Sequence, residues 1–530
     1  MSNESLLTAL PDELDALFGQ YTAADNARGL VYGLVGPDGL VHSRGFGVAD
    51  DAGHPPDADT VFPIASMTKS FVACGALLAR DRGLVNLDAP ITDFFDEFSA
   101  GGTFDDPCDP PTLRMLLSMS GGLTEDNSWV DPFIDTPVDD LLATVSRGLY
   151  YSTLPGTVFE YSNLGYTLAG LAVGRAVGRR IEDWVSEELL APLGMSRSWF
   201  DNQAPADPGL LATGYSLDES GQWQGFPPAR SDAYAAAGGI QSTVRDLATW
   251  VSWLASSFRP PTGTGPDPVG RASRRELQRL HQLTLPSVVT RADGAVKVSI
   301  GGYGLGLLVT EDLHRGTVIS HSGGLPGFIL NMIWHPGSGH GIVVLTNSHR
   351  GNPVALSEEA LFRVLDRHRA PARTIRLWPA TRDLQGLAES LIRRWDDELA
   401  ARIFAENIAF DRPLDQRRTE IDRMIGEVGP LLEPNPAPDA TPDLLSAATP
   451  ADVTWAIPGQ RGELVCMIHL TPAAPPQIQE FEVTASPYAT PRSARPTDIS
   501  VRRRGAGPAS LSSLPNSQIE WPAPADANGG

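Results

Sequence analysis

The chain has 530 residues, 42% hydrophobic and 20% charged, an ordinary globular composition with length for one large domain and a smaller one. A formal charge of −23 excludes a broad electropositive face for nucleic acid or anionic lipid, and no apolar run approaches the roughly 20 residues that cross a bilayer. Three cysteines without C-x-x-C or Cys/His spacing, Cys74, Cys108 and Cys466, suggest neither a disulfide framework nor a zinc site, so no metal or cofactor is expected.

In chain order, the first twenty residues lack the basic region and apolar core of a secretory signal, and the expected location is the cytoplasm. Residues 29–50 alternate around Gly-Pro-Asp-Gly and predict an antiparallel hairpin. After VFPIAS the period changes: Phe71, Cys74, Leu77 and Leu78 form the stripe of a helix that Ser66 opens and Gly83 ends. Further helices are predicted at 112–118, 138–148, 164–177, 181–191, 244–256 and 273–284. Strand patterns return at 303–310, 316–321, 326–335 and 340–347, followed by a helix at 354–367. Strands at both ends with helices between them predict an α+β domain, an antiparallel sheet plus a helical block, over residues 1–370. Residues 371–382 read as a linker. A small α+β domain follows at 383–490, with helices at 384–408 and 414–428 and strands at 452–457, 462–470 and 477–485. The last segment, 491–530, is rich in Pro, Ser, Ala and Gly without periodicity and reads as a disordered tail.

Three short patterns carry chemistry. In Ser66-Met67-Thr68-Lys69 the two functional side chains are three residues apart, so on a helix the amine reaches the hydroxyl. Serine is a weak nucleophile until a base takes its proton, and a desolvated lysine is such a base. The competing account is a capping serine and an exposed lysine. Lysine usage weighs against it: Lys69 and Lys297 are the two lysines among 41 basic residues, and arginine cannot give up its proton. Tyr161-Ser162-Asn163 offers a phenol for proton transfer, partly as phenolate near an ammonium, and an amide to hold a substrate carbonyl. Its bland counterpart is a loop that caps the helix at 164–177. His321-Ser322-Gly323-Gly324 ends a β-rich run where small residues let a substrate backbone approach, with the amides of Gly324 and Ser66 expected to hold an oxyanion. His321 is read either as a hydrogen-bond partner of the tyrosine or substrate, or as a structural histidine.

The order and spacing of these three patterns resemble the class C β-lactamases and their relatives, the penicillin-binding DD-peptidases, D-aminopeptidases and related esterases. VFPIASMTKSF, GLVNLDAPITDFF, TLRMLLSMSGGL, PGTVFEYSNLGYTLAG, LLAPLGMSRSWF, AAAGGIQSTVRDLATW and YGLGLLV extend the resemblance over about residues 10–365. It implies a β-lactamase/DD-peptidase-like fold. It also implies Ser66 as nucleophile, Lys69 and Tyr161 as the proton-transfer pair, and Asn163, His321, Ser322, Gly323 and Gly324 as substrate-binding residues. Two positions depart from the pattern. Met119 stands where relatives often have histidine. His321 stands where they often have lysine, which disfavours β-lactam turnover and favours peptide or ester substrates. The implied function is a serine hydrolase or acyltransferase acting on an amide, peptide or ester. The alternatives are a penicillin-binding-protein-type thioesterase or peptide cyclase, and a non-catalytic penicilloyl-binding or sensing protein. The partner is a small-molecule or peptide substrate. Residues 383–490 weakly resemble the cystatin- or NTF2-like modules attached to some bacterial hydrolases. There Asp396, Asp397 and Glu406 read as a solvated helical face and His469 as a packed residue.

Overall fold

The computed structural model describes residues 10–96, 108–130, 134–228, 230–260, 267–284, 286–290, 296–312, 315–368, 375, 377–433 and 444–487. The chain divides into two compact units between Ala372 and Arg373. Among the described residues no helix is long and apolar enough to cross a membrane.

The first unit is built on an antiparallel sheet. Its longer strands are β1 (Gly29–Gly36), β2 (Gly39–Gly47), β3 (Val296–Tyr303), β4 (Leu308–Asp312), β5 (Gly316–Leu325), β6 (Phe328–His335) and β7 (His340–Thr346), and the short strands Gln282–Leu283 and Ser287–Thr290 pair with β3. The longer strands lie in the order β2-β1-β7-β6-β5-β4-β3, so the N-terminal hairpin docks on the last strand of the unit and closes the sheet. Side chains of a strand alternate between faces, and β1 is buried along its whole length because both faces are covered. Leu30, Tyr32 and Leu34 pack in a core that also holds residues of helices α1 (Leu10–Ala23) and α5 (Pro353–Arg367), while Val31 and Val35 join the core of the helical block. Gly33 lacks a side chain where a Cβ would stand 2.4 Å from Val244 Cγ1, which lets helix α4 (Val244–Ser256) lie close to the sheet. Helices α2 (Thr68–Asp81) and α3 (Asn163–Val177) form the centre of the block.

The second unit runs helices first and strands second: Pro379–Arg393, Asp397–Ile403, Asn407–Asp411 and Leu414–Val428, then an antiparallel sheet of Leu444–Ser446, Asp452–Pro458, Gly462–Leu470 and Ile478–Pro487. Leu391, Ile421, Trp455, Cys466 and Phe481 are in its core.

Several boundaries differ from those expected. The predicted strand at 303–310 is two strands, because Gly304 N–H turns back to the Leu307 carbonyl. The helix expected at 273–284 ends at Leu277, and Gln282–Leu283 instead pair with β3. The long helix at 384–408 is three, broken where the Asp396 carboxylate caps the second by accepting from Leu399 N–H at 2.8 Å. The linker is shorter than 371–382, since Pro379 already occupies a first helical turn, the place where its missing N–H does no harm. The tail at 491–530 lies outside the described residues.

Candidate functional site

The turn that carries Ser66 is set by strain and close packing. Ser66 lies in a one-turn 3₁₀ segment, Ala65–Met67, and α2 starts at Thr68, two residues later than the serine expected to open it. Ala65 before it has φ +49°, the left-handed region that a side chain disfavours by about 1 kcal/mol or more. The turn is braced by β5, whose Gly323 would place a Cβ 2.3 Å from the Ile64 carbonyl oxygen. No side-chain capping bond closes either segment, so the capping account of Ser66 fails. Its hydroxyl faces Lys69, whose Nζ is 3.0 Å from Ser66 Oγ.

Lys69 is fully buried and has two further neighbours. Its Nζ donates to Asn163 Oδ1 at 2.7 Å and to the Ala237 carbonyl at 2.8 Å. Both oxygens accept only. A neutral amine has two N–H donors and one lone pair, so once these two acceptors are served the lone pair points at the third neighbour, the Ser66 hydroxyl. Burial lowers Lys69 from the ordinary 10.5 to about 7, against the opposing charge of Asp126, so the neutral base is populated near neutrality.

Tyr161 lies beside the same serine. Lys69 Nζ sits 5.0 Å from the centre of its ring, and the phenol is close enough to the Ser66 hydroxyl to respond to it. Burial first, then the charges of Asp126 and Glu125, push this phenol above its ordinary value, the Ser66 hydroxyl opposing. The expected partial phenolate is therefore corrected: the resting Tyr161 is a neutral phenol, able to hand on a proton it receives.

Asn163 is held on both sides of its amide. Its Nδ2 donates to Asp126 Oδ1 at 3.1 Å and to Asn127 Oδ1 at 2.8 Å, and its Oδ1 accepts from Lys69. Every amide atom is thus engaged inside the protein, and the residue also lines the recess beside Ser66. Ser162 takes the capping role foreseen as the bland account, accepting from Gly165 N–H at 3.0 Å.

The strand bearing His321-Ser322-Gly323-Gly324 flanks the turn. Leu325 and Phe328 face each other across a two-residue turn and form a hydrogen-bonded pair. The adjacent pair, Gly324 and Ile329, is then of the non-bonded kind, with backbone groups directed away from the partner strand. On that side β4 pairs with β5 no further than Ser320 among the described residues, and Gly324 is exposed there. Gly324 shares a recess of about 40 Å³ with Ser66, Ala65, Asn163, Tyr234 and Gly238. His321 is turned inward: Nδ1–H donates to the Ser322 carbonyl at 2.6 Å, and Nε2 accepts from the Tyr303 hydroxyl at 2.8 Å. Burial, then the neighbouring Lys69 charge, lower His321 to about 3. It is a neutral structural imidazole whose tyrosine partner is Tyr303, not Tyr161. Ser322 is half-buried, and Gly323 serves the close approach of strand and turn.

Three contributors had been given no role from the sequence. The Ala237 carbonyl comes from the short helix Ala235–Gly238. Met119, with φ +57°, accepts the Ser162 N–H on its sulfur at 3.3 Å and the Glu160 N–H on its carbonyl at 2.8 Å, so it holds the Tyr161 loop. Asp126 is buried against Ser162 and Asn163. In the second unit, Asp396 is a helix cap, Asp397 accepts from the Trp395 indole at 2.8 Å, Glu406 is exposed, and His469 lies 3.6 Å from Glu480. No group of three or more His, Cys, Asp or Glu side chains suited to a metal occurs among the described residues.

Residues 14–364 match the family model described as Beta-lactamase. Beta-lactamase-like protein 4 of Dictyostelium discoideum is 26% identical over 349 residues, covering 62% of this chain and 58% of its own length. The chain spans 47–71% of the length of this and the next two curated relatives it matches. Among solved structures, an octameric penicillin-binding protein homologue from Pyrococcus abyssi superposes with a TM-score of 0.58 at 19% identity, covering 87% of this chain and 90% of its own. EstCE1, a hydrolase with promiscuous acyltransferase activity, superposes at 0.54 with 17% identity, covering 67% of this chain and 99% of its own. The antiparallel sheet with its helical block is the fold of these structures.

Proposed function

Since this chain belongs to the beta-lactamase family, we propose that it is a serine hydrolase or acyltransferase working through a Ser66 acyl-enzyme on a peptide-like, D-amino-acid or ester carbonyl. The observation that carries this reading is the environment of Lys69, in which two acceptor-only oxygens leave the lone pair of the neutral amine to the Ser66 hydroxyl. In the forward step Ser66 Oγ bonds to the acyl carbon, its proton passes to Lys69, and the tetrahedral oxyanion is held by the Ser66 and Gly324 amides. Lys69 then protonates Tyr161 as Tyr161 protonates the leaving group, whose bond to the acyl carbon breaks. Water or an amine reverses the sequence and frees Ser66.

Substrate charge narrows the class. A neutral His321 supplies no fixed cation for a substrate carboxylate, so neutral amides and esters are favoured over β-lactams. A second reading, transfer to an amine as in a peptidyl thioesterase or cyclase, draws support from the acyltransferase activity named for EstCE1. A non-catalytic penicilloyl-binding protein is disfavoured by the intact Ser66, Lys69 and Tyr161 cluster. Three unpaired cysteines suit a reducing compartment, and the cytoplasm is the proposed location.

A panel of p-nitrophenyl esters, D-amino-acid amides, peptidyl thioesters and a chromogenic cephalosporin tests the proposal. Turnover of esters or amides at least about tenfold above the cephalosporin in kcat/KM is expected. Preferred cephalosporin turnover would overturn the substrate assignment, and no turnover of any class would overturn the enzymatic one.

A further inference from the structure

Asp126 lies 37 residues before Asn163 in a segment, Thr124-Glu125-Asp126-Asn127, that reads as an acidic surface loop. In the fold its side chain is buried. A carboxylate has about four lone-pair sites, and four donors meet it. Oδ1 accepts from Asn163 N–H at 2.7 Å and Asn163 Nδ2 at 3.1 Å, while Oδ2 accepts from Leu164 N–H at 2.8 Å and Ser162 Oγ at 3.1 Å. None of these four donors is a cation. A buried charge needs compensation. Part of it comes from the N-terminus of α3, whose first amides it receives. The remainder lies one side chain further on: Asn163 donates to Asp126 through Nδ2 and accepts from Lys69 through Oδ1.

This relay fixes the orientation of the amide. Asp126 as a carboxylate only accepts, so the NH₂ end of Asn163 must face it and the oxygen end must face Lys69. Reversal would set an NH₂ group against the Lys69 amine and an oxygen against the carboxylate.

We propose that Asp126 is a positioning residue for acyl transfer, locking the Asn163 oxygen onto Lys69 and setting a buried negative charge one side chain away from the amine. The inference rests on the Ser66 and Lys69 reading given above. The other polar groups around the amine are neutral. Tyr161 and Tyr166 have ring centres 5.0 and 5.7 Å from Nζ, and burial raises both phenols. His321 is an uncharged imidazole bonded to Tyr303. Tyr234 is a buried phenol raised by burial and by Asp126. Glu125, whose charge acts on Tyr161, is exposed and screened by solvent. Asp126 is the buried charge to which Lys69 responds.

The test is the pH profile of kcat/KM for a p-nitrophenyl ester between pH 5 and 10, in wild type, Asp126→Asn, Asp126→Ser and Asp126→Glu. Folding is checked by near-ultraviolet circular dichroism and the state of Ser66 by fluorophosphonate labelling. Activity requires the neutral amine, so the wild-type acid limb is expected near pH 7. Removing the charge makes Lys69 give up its proton more readily. In the two neutral variants the limb should move to lower pH by about half a unit or more, and the plateau kcat should fall about 10-fold or more as Asn163 loses its fixed orientation. Asp126→Glu keeps the charge and should leave the limb near the wild-type position. A folded neutral variant whose limb coincides with wild type overturns the proposal. So does failure of both neutral variants to fold, which would assign Asp126 to folding alone. If wild-type Ser66 resists labelling, or wild type shows no acid limb, it is the Ser66 and Lys69 reading that fails.

Discussion

Two of the recesses among the described residues, one in each unit, are built differently. The one beside Ser66 is small, about 40 Å³, but side chains and backbone from four separated segments converge there on one buried amine. The one in the second unit is roomy, about 500 Å³ between Asn407–Asp411, Leu414–Val428 and Ile478–Pro487. There Arg412 pairs with Glu420, and Arg417 donates to the Phe481 carbonyl at 3.0 Å. No lysine, cysteine or serine is among its described lining residues. Reactivity follows from desolvation and opposed donors and acceptors, not from volume.

The sharpest way to break this contrast is Ser66→Ala, which should lower kcat/KM for an ester substrate by about 10³-fold or more. Next in size is Lys69→Met, expected to cost about 10²- to 10⁴-fold and to change how stability depends on pH. Lys69 is held near 7 in the folded chain against 10.5 ordinarily. Between those values the unfolded chain carries a proton that the folded one lacks, so wild type gains stability as pH rises. Below pH 7 the unfavourable share is complete. Urea unfolding at pH 7.5 and 9 should show wild type gaining about 1.4 kcal/mol per pH unit relative to Lys69→Met.

Smaller effects sharpen the contrast within and between the units. His321→Gln replaces a neutral hydrogen-bonding group by another and should change kcat/KM by less than about fivefold, leaving the acid limb where it is. A large shift in the limb would show that His321 titrates with Lys69. Arg417→Ala, in the roomy recess, should stay within about twofold of wild type in the same assay, and a large loss would move chemistry into the second unit.

What the sequence revealed follows the range of the interactions involved. Ser66 and Lys69 were legible because a three-residue spacing on a helical turn brings two side chains together whatever the rest of the fold does. The hairpin at Gly29–Gly47 was legible from the Gly-Pro-Asp-Gly turn between two β-rich runs, and the helix at Leu414–Val428 from the helical spacing of Ile421, Met424 and Val428. The strand expected at 303–310 and the helix at 384–408 ran together separate elements, since a local turn at Gly304 and a cap at Asp396 interrupt patterns that stay apolar across them. Asp126 was invisible for the opposite reason. Its burial depends on contacts with Ser162 and Asn163, and nothing in Thr-Glu-Asp-Asn distinguishes it from its exposed neighbour Glu125. The partners of Asn163 and His321 were out of reach likewise, because each lies elsewhere in the chain, Asp126 for one and Tyr303 for the other.

The central claim is that one serine, activated by one neutral lysine, takes the acyl group. Intact-protein mass spectrometry after brief exposure to a fluorophosphonate at pH 8, followed by peptide mapping, tests it most directly. The account predicts a single adduct on the peptide containing Ser66, abolished in Ser66→Ala and slowed at pH 5.5, where Lys69 holds its proton. An adduct that persists in Ser66→Ala, or one that forms equally fast at both pH values, would contradict it.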